Sequence, residues 1–219
     1  MALKHPYYPL NAKIVGYHPM VLNMGYILAV FGGSMALVAI LTWHVSGKYK
    51  RLTTQERIIS CWFMVTGVIH FIIEGYFVVT PDYYKDSSGS YLSDAWKEYT
   101  KADSRYATRD DFIVGMEAIT AFIWGPLCPL VTYSILKSKP WRFTLMLIVS
   151  LGQMYGDVLY YATCYLEGFV HSRPEFAYFW GFFVGLNSLW IIIPAYMMYY
   201  AVQNINNAVA GKKIAAKRR

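Results

Sequence analysis

The apolar residues of this 219-residue chain fall in long blocks rather than in short alternating runs. Five blocks stand out, at about 21–45, 58–79, 112–136, 143–166 and 178–202, each roughly 22–25 residues long and nearly free of charge. About 20 apolar residues rising 1.5 Å each cross a hydrocarbon core of ~30 Å. The pattern therefore predicts an all-α membrane protein: a five-transmembrane-helix bundle that forms one membrane domain over 1–219. The connections are short except the one between helices 2 and 3. At about 30 residues it is long for a compact domain, and it is expected to act as a lid or cap, with a short-helix composition over 93–101.

Composition agrees with this picture. Only 15% of the residues are charged and 56% are hydrophobic, whereas soluble domains carry about 25% charge and disordered chains lack apolar residues. The 18% aromatic content is partly explained by Trp43, Trp141, Tyr178 and Trp180, which with Arg142 flank the blocks where membrane interfaces attract such side chains. The first block is too long for a cleaved signal peptide and is expected to be a retained signal-anchor.

The connections on one face hold twelve Lys and Arg residues against eight on the other. The positive-inside rule then puts the N-terminus in the lumen and the tail 203–219 in the cytosol. That tail carries Lys212, Lys213, Lys217, Arg218 and Arg219. It is read as a topogenic segment that touches anionic headgroups rather than as a nucleic-acid patch, so membrane lipids but no nucleic acid are expected as partners. Cys61, Cys128 and Cys164 all fall in predicted spans and are expected to be buried free thiols, with no zinc spacing and no metal site. Gly152 with Gly156 and Gly181 with Gly185 are spaced for close helix approach.

Ionisable groups inside spans are costly and point to function. His70 and Glu74 are four apart on helix 2 and can pair on one face. Glu117, Thr120 and Trp124 share a face of helix 3. Ser150, Gln153, Asp157, Tyr160 and Cys164 form a stripe on helix 4, and Asn187 and Trp190 share a face of helix 5 with Pro194. Counted at 1.5 Å per residue, Glu74 and Glu117 lie ~8 Å below the long connection and His70 and Asn187 ~13 Å below it. An interhelical hydrogen-bond network would explain Gln153, Asp157 or Thr120 taken singly. Three titratable groups at matched depth exceed what packing needs.

A carboxylic acid in an apolar pocket has its neutral form favoured and can donate a proton, and a His–Glu pair beside it can accept one. With no phosphate loop, nucleotide fingerprint or metal set in the sequence, the pattern points to cofactor-free proton shuffling such as moving a double bond. An aromatic face such as Trp190 would stabilise a cation, and an apolar substrate would enter from the lipid.

Cys61-Trp62-Phe63, His70-Phe71-Ile72-Ile73-Glu74, Trp96-Lys97-Glu98-Tyr99, Asp103-Ser104-Arg105-Tyr106, Met116-Glu117-Ala118-Ile119-Thr120, Gln153-Met154-Tyr155-Gly156-Asp157 and Asn187-Ser188-Leu189-Trp190 stand in this order along the chain. In these strings the chain resembles the emopamil-binding protein family, that of the 3β-hydroxysteroid Δ8-Δ7 isomerases, over nearly its whole length. The resemblance implies five spans, a homodimer and residence in the endoplasmic reticulum membrane, for which the final residues offer no Lys-Lys-x-x signal. It also implies an isomerase that needs no cofactor, takes a Δ8-sterol from the bilayer, and binds cationic amine inhibitors that mimic its carbocation.

Carried over by residue, the resemblance implies catalytic roles for His70, Glu74 and Glu117 and substrate-binding roles for Thr120, Asn187 and Trp190. Tyr99, Asp103, Arg105 and Tyr106 match a motif associated with activity, and Gln153 and Asp157 are supporting candidates. Glu117 is expected to protonate C9 and His70 with Glu74 to take the C7 proton; the reverse assignment satisfies the sequence equally. Two other classes compete. A non-enzymatic sterol- or amine-binding protein needs the cavity but not the complete acid–base set. A proton-coupled transporter would want polar stripes that reach both surfaces, whereas here the acids gather toward one end.

Overall fold

The computed structural model describes residues 5–211; the basic cluster expected at 212–219 lies outside them. The regular structure among the described residues is all helical, and five helices are long and apolar enough to cross a membrane: α1 (Met24–Gly47), α2 (Thr54–Val79), α5 (Asp111–Leu136), α6 (Arg142–Leu166) and α7 (Ala177–Val209). Their bounds extend the apolar blocks mainly where polar residues begin or finish a helix. Helix α2 starts at Thr54 because Thr53 and Glu56 form a reciprocal capping box, which satisfies amide donors that the first turn leaves free. Helix α7 runs on to Val209 through the polar residues Gln203, Asn204, Asn206 and Asn207.

Between α2 and α5 the chain is folded into a 3-10 turn (Tyr83–Lys85) and two short helices, α3 (Tyr91–Tyr99) and α4 (Arg105–Thr108). The helical composition over 93–101 thus appears as α3, begun two residues earlier. Side-chain bonds fasten this cap to the long helices. Buried Asp94 accepts from the amides of Val21 and Leu22 at 2.8 and 2.9 Å, ahead of α1, and is paired with buried Lys97. Arg109 donates to the carbonyls of Phe77 and Val78, at the last turn of α2. Those carbonyls have no partner within their own helix.

Two apolar cores bracket the bundle. One gathers Phe63, Val131, Ile135, Met146 and Met197 from α2, α5, α6 and α7. The other joins the cap to the long helices through Phe77, Trp96, Tyr106, Tyr160 and Phe183. Gly67 lets α2 meet α5 closely: a Cβ there would stand 2.9 Å from Cys128 Cβ and 3.2 Å from the Gly125 carbonyl. Gly152 serves the same purpose for Trp124, whose ring atoms lie 2.4 Å from an ideal Cβ. The other predicted close-approach pair makes no interhelical close approach among the described residues, since Gly181 has nothing within 4 Å of its Cβ position and Gly185 meets only its own helix at Trp180. Cys128 and Cys164 are buried free thiols as expected, while Cys61 is half-buried. Large apolar side chains such as Leu37, Ile40, Phe122, Ile148 and Ile192 are exposed around the long helices, as lipid-facing surfaces require.

Three of the long helices change to π-helical winding, at Ile69–Glu74, Thr120–Trp124 and Ala177–Leu186. An i→i+5 bulge inserts one residue into a turn and is commonly found at functional sites. Here the first bulge contains His70 and Glu74, the second begins at Thr120, and the third ends beside Asn187. Carbonyls of the bulged turns gain side-chain donors: Trp96 Nε1 reaches Ile73 at 2.8 Å, and Tyr161 reaches Phe183 and Val184 at 3.0 and 2.8 Å.

Candidate active site

Between the two cores lies a cavity of about 370 Å³, in the range of small-ligand pockets. Its walls come from all five long helices and the cap. Phe31 and Met35 of α1, Trp62 of α2 and Leu186 of α7 line it with apolar surface, and His70, Glu74, Glu117, Thr120, Gln153, Asp157, Asn187 and Trp190 also reach it. All five long helices and the connection between α2 and α5 thus contribute side chains to one cavity.

His70 and Glu74 form a dyad. Nδ1 of His70 lies 2.9 and 2.8 Å from the two carboxyl oxygens of Glu74. The other ring nitrogen is also engaged: Nε2 is 3.0 Å from Thr66 Oγ1, 2.9 Å from Gln153 Nε2 and 3.3 Å from Trp190 Nε1. Indole and amide N–H groups are donors only, so Nε2 acts as acceptor and the ring proton sits on Nδ1, facing the carboxylate. The imidazole is 2% exposed and the Glu74 side chain 15%. Glu74 is thus the more open member of the dyad.

Glu117 is buried on α5 and accepts the hydroxyl proton of Tyr106 at 2.6 Å. Tyr99 of the cap donates to Asn187 Oδ1 at 2.9 Å, and Asn187 in turn donates to the Phe183 carbonyl at 2.8 Å. Each of these two tyrosines carries the cap to a polar residue of a spanning helix. Thr120 lines the cavity, but its hydroxyl donates to the Met116 carbonyl on its own helix at 2.9 Å, which leaves an oxygen lone pair for a ligand. Trp190 is held by its edge, since Nε1 also donates to Thr66 Oγ1 at 3.0 Å.

Some predicted residues sit elsewhere. Trp124 shares the sequence stripe of Glu117 and Thr120, but the π-bulge between them turns it away to pack on Gly152. Asp103 and Arg105 stay outside the cavity wall. They form a buried bidentate pair, with Arg105 Nη2 to Asp103 Oδ2 at 2.8 Å, and Arg105 also donates to Thr163 of α6 at 2.8 Å. Their geometry clamps α4, and hence Tyr106, against α6.

Thr66 is the residue that sequence reasoning missed. A signal was present: Thr66, His70 and Glu74 are polar at successive four-residue steps along α2.

Fold and site together define a helical protein with five helices long and apolar enough to cross a membrane, and with a largely apolar pocket into which carboxyl and imidazole groups project. A family model described as EBP: EXPERA (EXPanded EBP superfamily) matches residues 91–201. The chain is 38% identical over 208 residues to the Probable 3-beta-hydroxysteroid-Delta(8),Delta(7)-isomerase of Arabidopsis thaliana, covering 95% of this chain and 92% of that protein. It is 39% identical over 207 residues to the 3-beta-hydroxysteroid-Delta(8),Delta(7)-isomerase of Rattus norvegicus, covering 93% and 90%. It is also 39% identical over 165 residues to Protoglabretal synthase MOI1 of Citrus sinensis, covering 74% and 77%. The chain belongs to the EBP, or EXPERA, family.

Proposed function

We propose that this protein is a sterol Δ8-Δ7 isomerase that moves the C8=C9 double bond to C7=C8 by acid–base chemistry without a cofactor. The observation that carries this is the His70–Glu74 dyad and the Tyr106-bound Glu117 lining one apolar cavity. In the proposed cycle Glu117 gives its proton to C9. The π electrons of C8=C9 form the new C9–H bond and leave a cation at C8. Glu74, backed by His70, takes a proton from C7, and the electrons of that C–H bond become the C7=C8 double bond. One proton is added and one removed, so the reaction is proton-neutral, and the cycle closes when the proton on Glu74 returns to Glu117.

Trp190 serves the cation. With its N–H edge fixed on Thr66 and His70, its ring is oriented by the same contacts that orient the base, and an aromatic face stabilises a nearby positive charge. An amine whose ammonium replaces the C8 cation would occupy the same place as an inhibitor. Asn187 and Thr120 contribute polar contacts that orient the substrate. The protein is expected to work as a homodimer in the endoplasmic reticulum membrane, with the N-terminus lumenal and the C-terminus cytosolic. The resemblance and the distribution of basic residues support that placement.

Relatives named as isomerases match this chain along more of its length than the relative named protoglabretal synthase, which favours the isomerase. The test is to supply a Δ8-sterol to microsomes from an isomerase-deficient host that expresses the chain. A Δ7-sterol product is expected, and its loss in Glu117→Gln and Glu74→Gln by a factor on the order of 10² or more. Binding of the sterol without any Δ7 product would favour a non-enzymatic binding protein.

A further inference from the structure

The cavity contains a carboxyl group that the proton chemistry does not use. Asp157 lies on α6 in the cavity wall, and its buried Oδ2 has no hydrogen-bond partner among the described residues. The other two carboxyl groups of the wall are engaged, Glu74 by His70 and Glu117 by Tyr106. Tyr160, three residues further along the same helix face, also lines the cavity, is 2% exposed, and has a hydroxyl without a partner. A polar group kept in a membrane-spanning segment without a partner is costly. The pair therefore reads as a site completed by a ligand.

The chemistry of that ligand follows from the walls. Most of the lining is apolar, and a free acceptor with a free donor one turn further along the helix suits a single hydroxyl, which has one proton to give and lone pairs to receive. A 3β-hydroxysterol has one such group at the edge of its fused rings. We infer that Asp157 and Tyr160 form the subsite for the substrate's 3-hydroxyl, with Asp157 accepting its proton and Tyr160 donating to its oxygen. This rests on the isomerase reading.

Position along α6 supports the assignment. Gln153 touches His70 at 2.9 Å and marks the level of the dyad. Asp157 is four residues on, ~6 Å along the helix axis. In the sterol, two fused rings separate the 3-oxygen from the C8–C9 bond, a span of the same order. Gly156, beside Asp157, adds no side chain to the wall, and its nearest neighbour across the space is Met116.

The experiment compares a 3β-hydroxy-Δ8-sterol with its 3-methyl ether, which can no longer donate to Asp157. Wild type should prefer the hydroxyl form by about 10-fold or more in kcat/KM. Asp157→Leu should bring that ratio close to one, whereas Asp157→Asn, which keeps a carbonyl acceptor, should retain most of it. Tyr160→Phe should weaken discrimination between the methyl ether and the 3-ethyl sterol, in which a methylene replaces the acceptor oxygen. Each ratio is taken within one preparation, so the folded fraction cancels. An unchanged hydroxyl preference in Asp157→Leu overturns the subsite. If that variant turns over neither sterol, the ratio of their dissociation constants, read by quenching of tryptophan fluorescence, decides in the same way. Should wild type isomerise neither sterol, the isomerase reading fails, and the wild-type and Asp157→Leu binding ratios still judge Asp157.

Discussion

Tyr106 donates its hydroxyl proton to Glu117 Oε1 at 2.6 Å. The donor belongs to the cap and the acceptor to a spanning helix, so the connection between α2 and α5 takes part in the site rather than merely covering it. Tyr106 is held by aromatic neighbours, with ring centroids 5.0 Å from Phe77, 5.0 Å from Trp96 and 5.2 Å from Tyr99. The hydroxyl of a ring packed on several sides has little freedom to leave its partner. Glu117 is thereby held in one orientation for its proposed proton transfer.

Removing that single oxygen tests the coupling. Tyr106→Phe keeps the ring and its packing but deletes the donor; Glu117 becomes charged as it gives up its proton, and a hydrogen bond to a charged group is worth about 1.5–3 kcal/mol. Turnover is expected to fall about 10- to 100-fold with a small change in KM, measured as Δ7-sterol formation by the purified protein. A turnover equal to wild type would mean that Glu117 is positioned by packing alone.

Thr66 is expected to behave as a positioning residue. It shares the distal nitrogen of His70 with Gln153 and Trp190, and losing its hydroxyl loosens the side of the ring opposite Glu74. Thr66→Val, which is nearly isosteric, should lower kcat about 10-fold, and Thr66→Ser should restore most of it. Nitrogen NMR of labelled histidine should show the Nδ1-protonated tautomer of His70 in wild type and a mixture in Thr66→Val. If serine and valine variants have equal rates, the hydroxyl has no part in holding the ring.

The cap depends on a buried ion pair. Asp103 and Arg105 are buried and joined by three charge-assisted contacts of 2.8 to 3.1 Å, and truncating one partner strands the other charge at a cost of about 3–5 kcal/mol. Asp103→Ala should expose the segment 91–110 to limited proteolysis in detergent well before the long helices are cut, and it should lower activity through Tyr106. Resistance equal to wild type would show that Lys97, Asp94 and Arg109 hold the cap without the clamp.

Gly152 offers a test of packing apart from chemistry. Trp124 ring atoms occupy the space a Cβ would take, and overpacking of this kind costs about 1–3 kcal/mol. Gly152→Val should lower the thermal midpoint in detergent by several degrees, while Gly156→Ala, whose Cβ would stand 3.8 Å from Met116, should leave it near wild type. Equal midpoints for the two variants would contradict the close contact.

Five long apolar stretches can be read from the chain alone because a ~30 Å hydrocarbon layer sets the helix length almost without regard to neighbours. The pairing of His70 with Glu74 is equally local, since residues four apart on a helix face each other. Rise per residue, counted from a shared surface, puts Glu117 at the depth of Glu74. What remained for the tertiary structure was whatever depends on which helix stands beside which. Gln153 and Trp190 meet His70 from α6 and α7, Tyr106 reaches Glu117 from the cap, and Asp157 lines the cavity with Oδ2 unpartnered among the described residues. Trp124 shows the limit most plainly: ideal helical spacing puts it on the face of Glu117 and Thr120, and the π-bulge at Thr120–Trp124 turns it onto Gly152 instead. Periodicity reports the direction a side chain takes on a regular helix, whereas a bulge and the neighbour that accommodates it are settled by packing between helices.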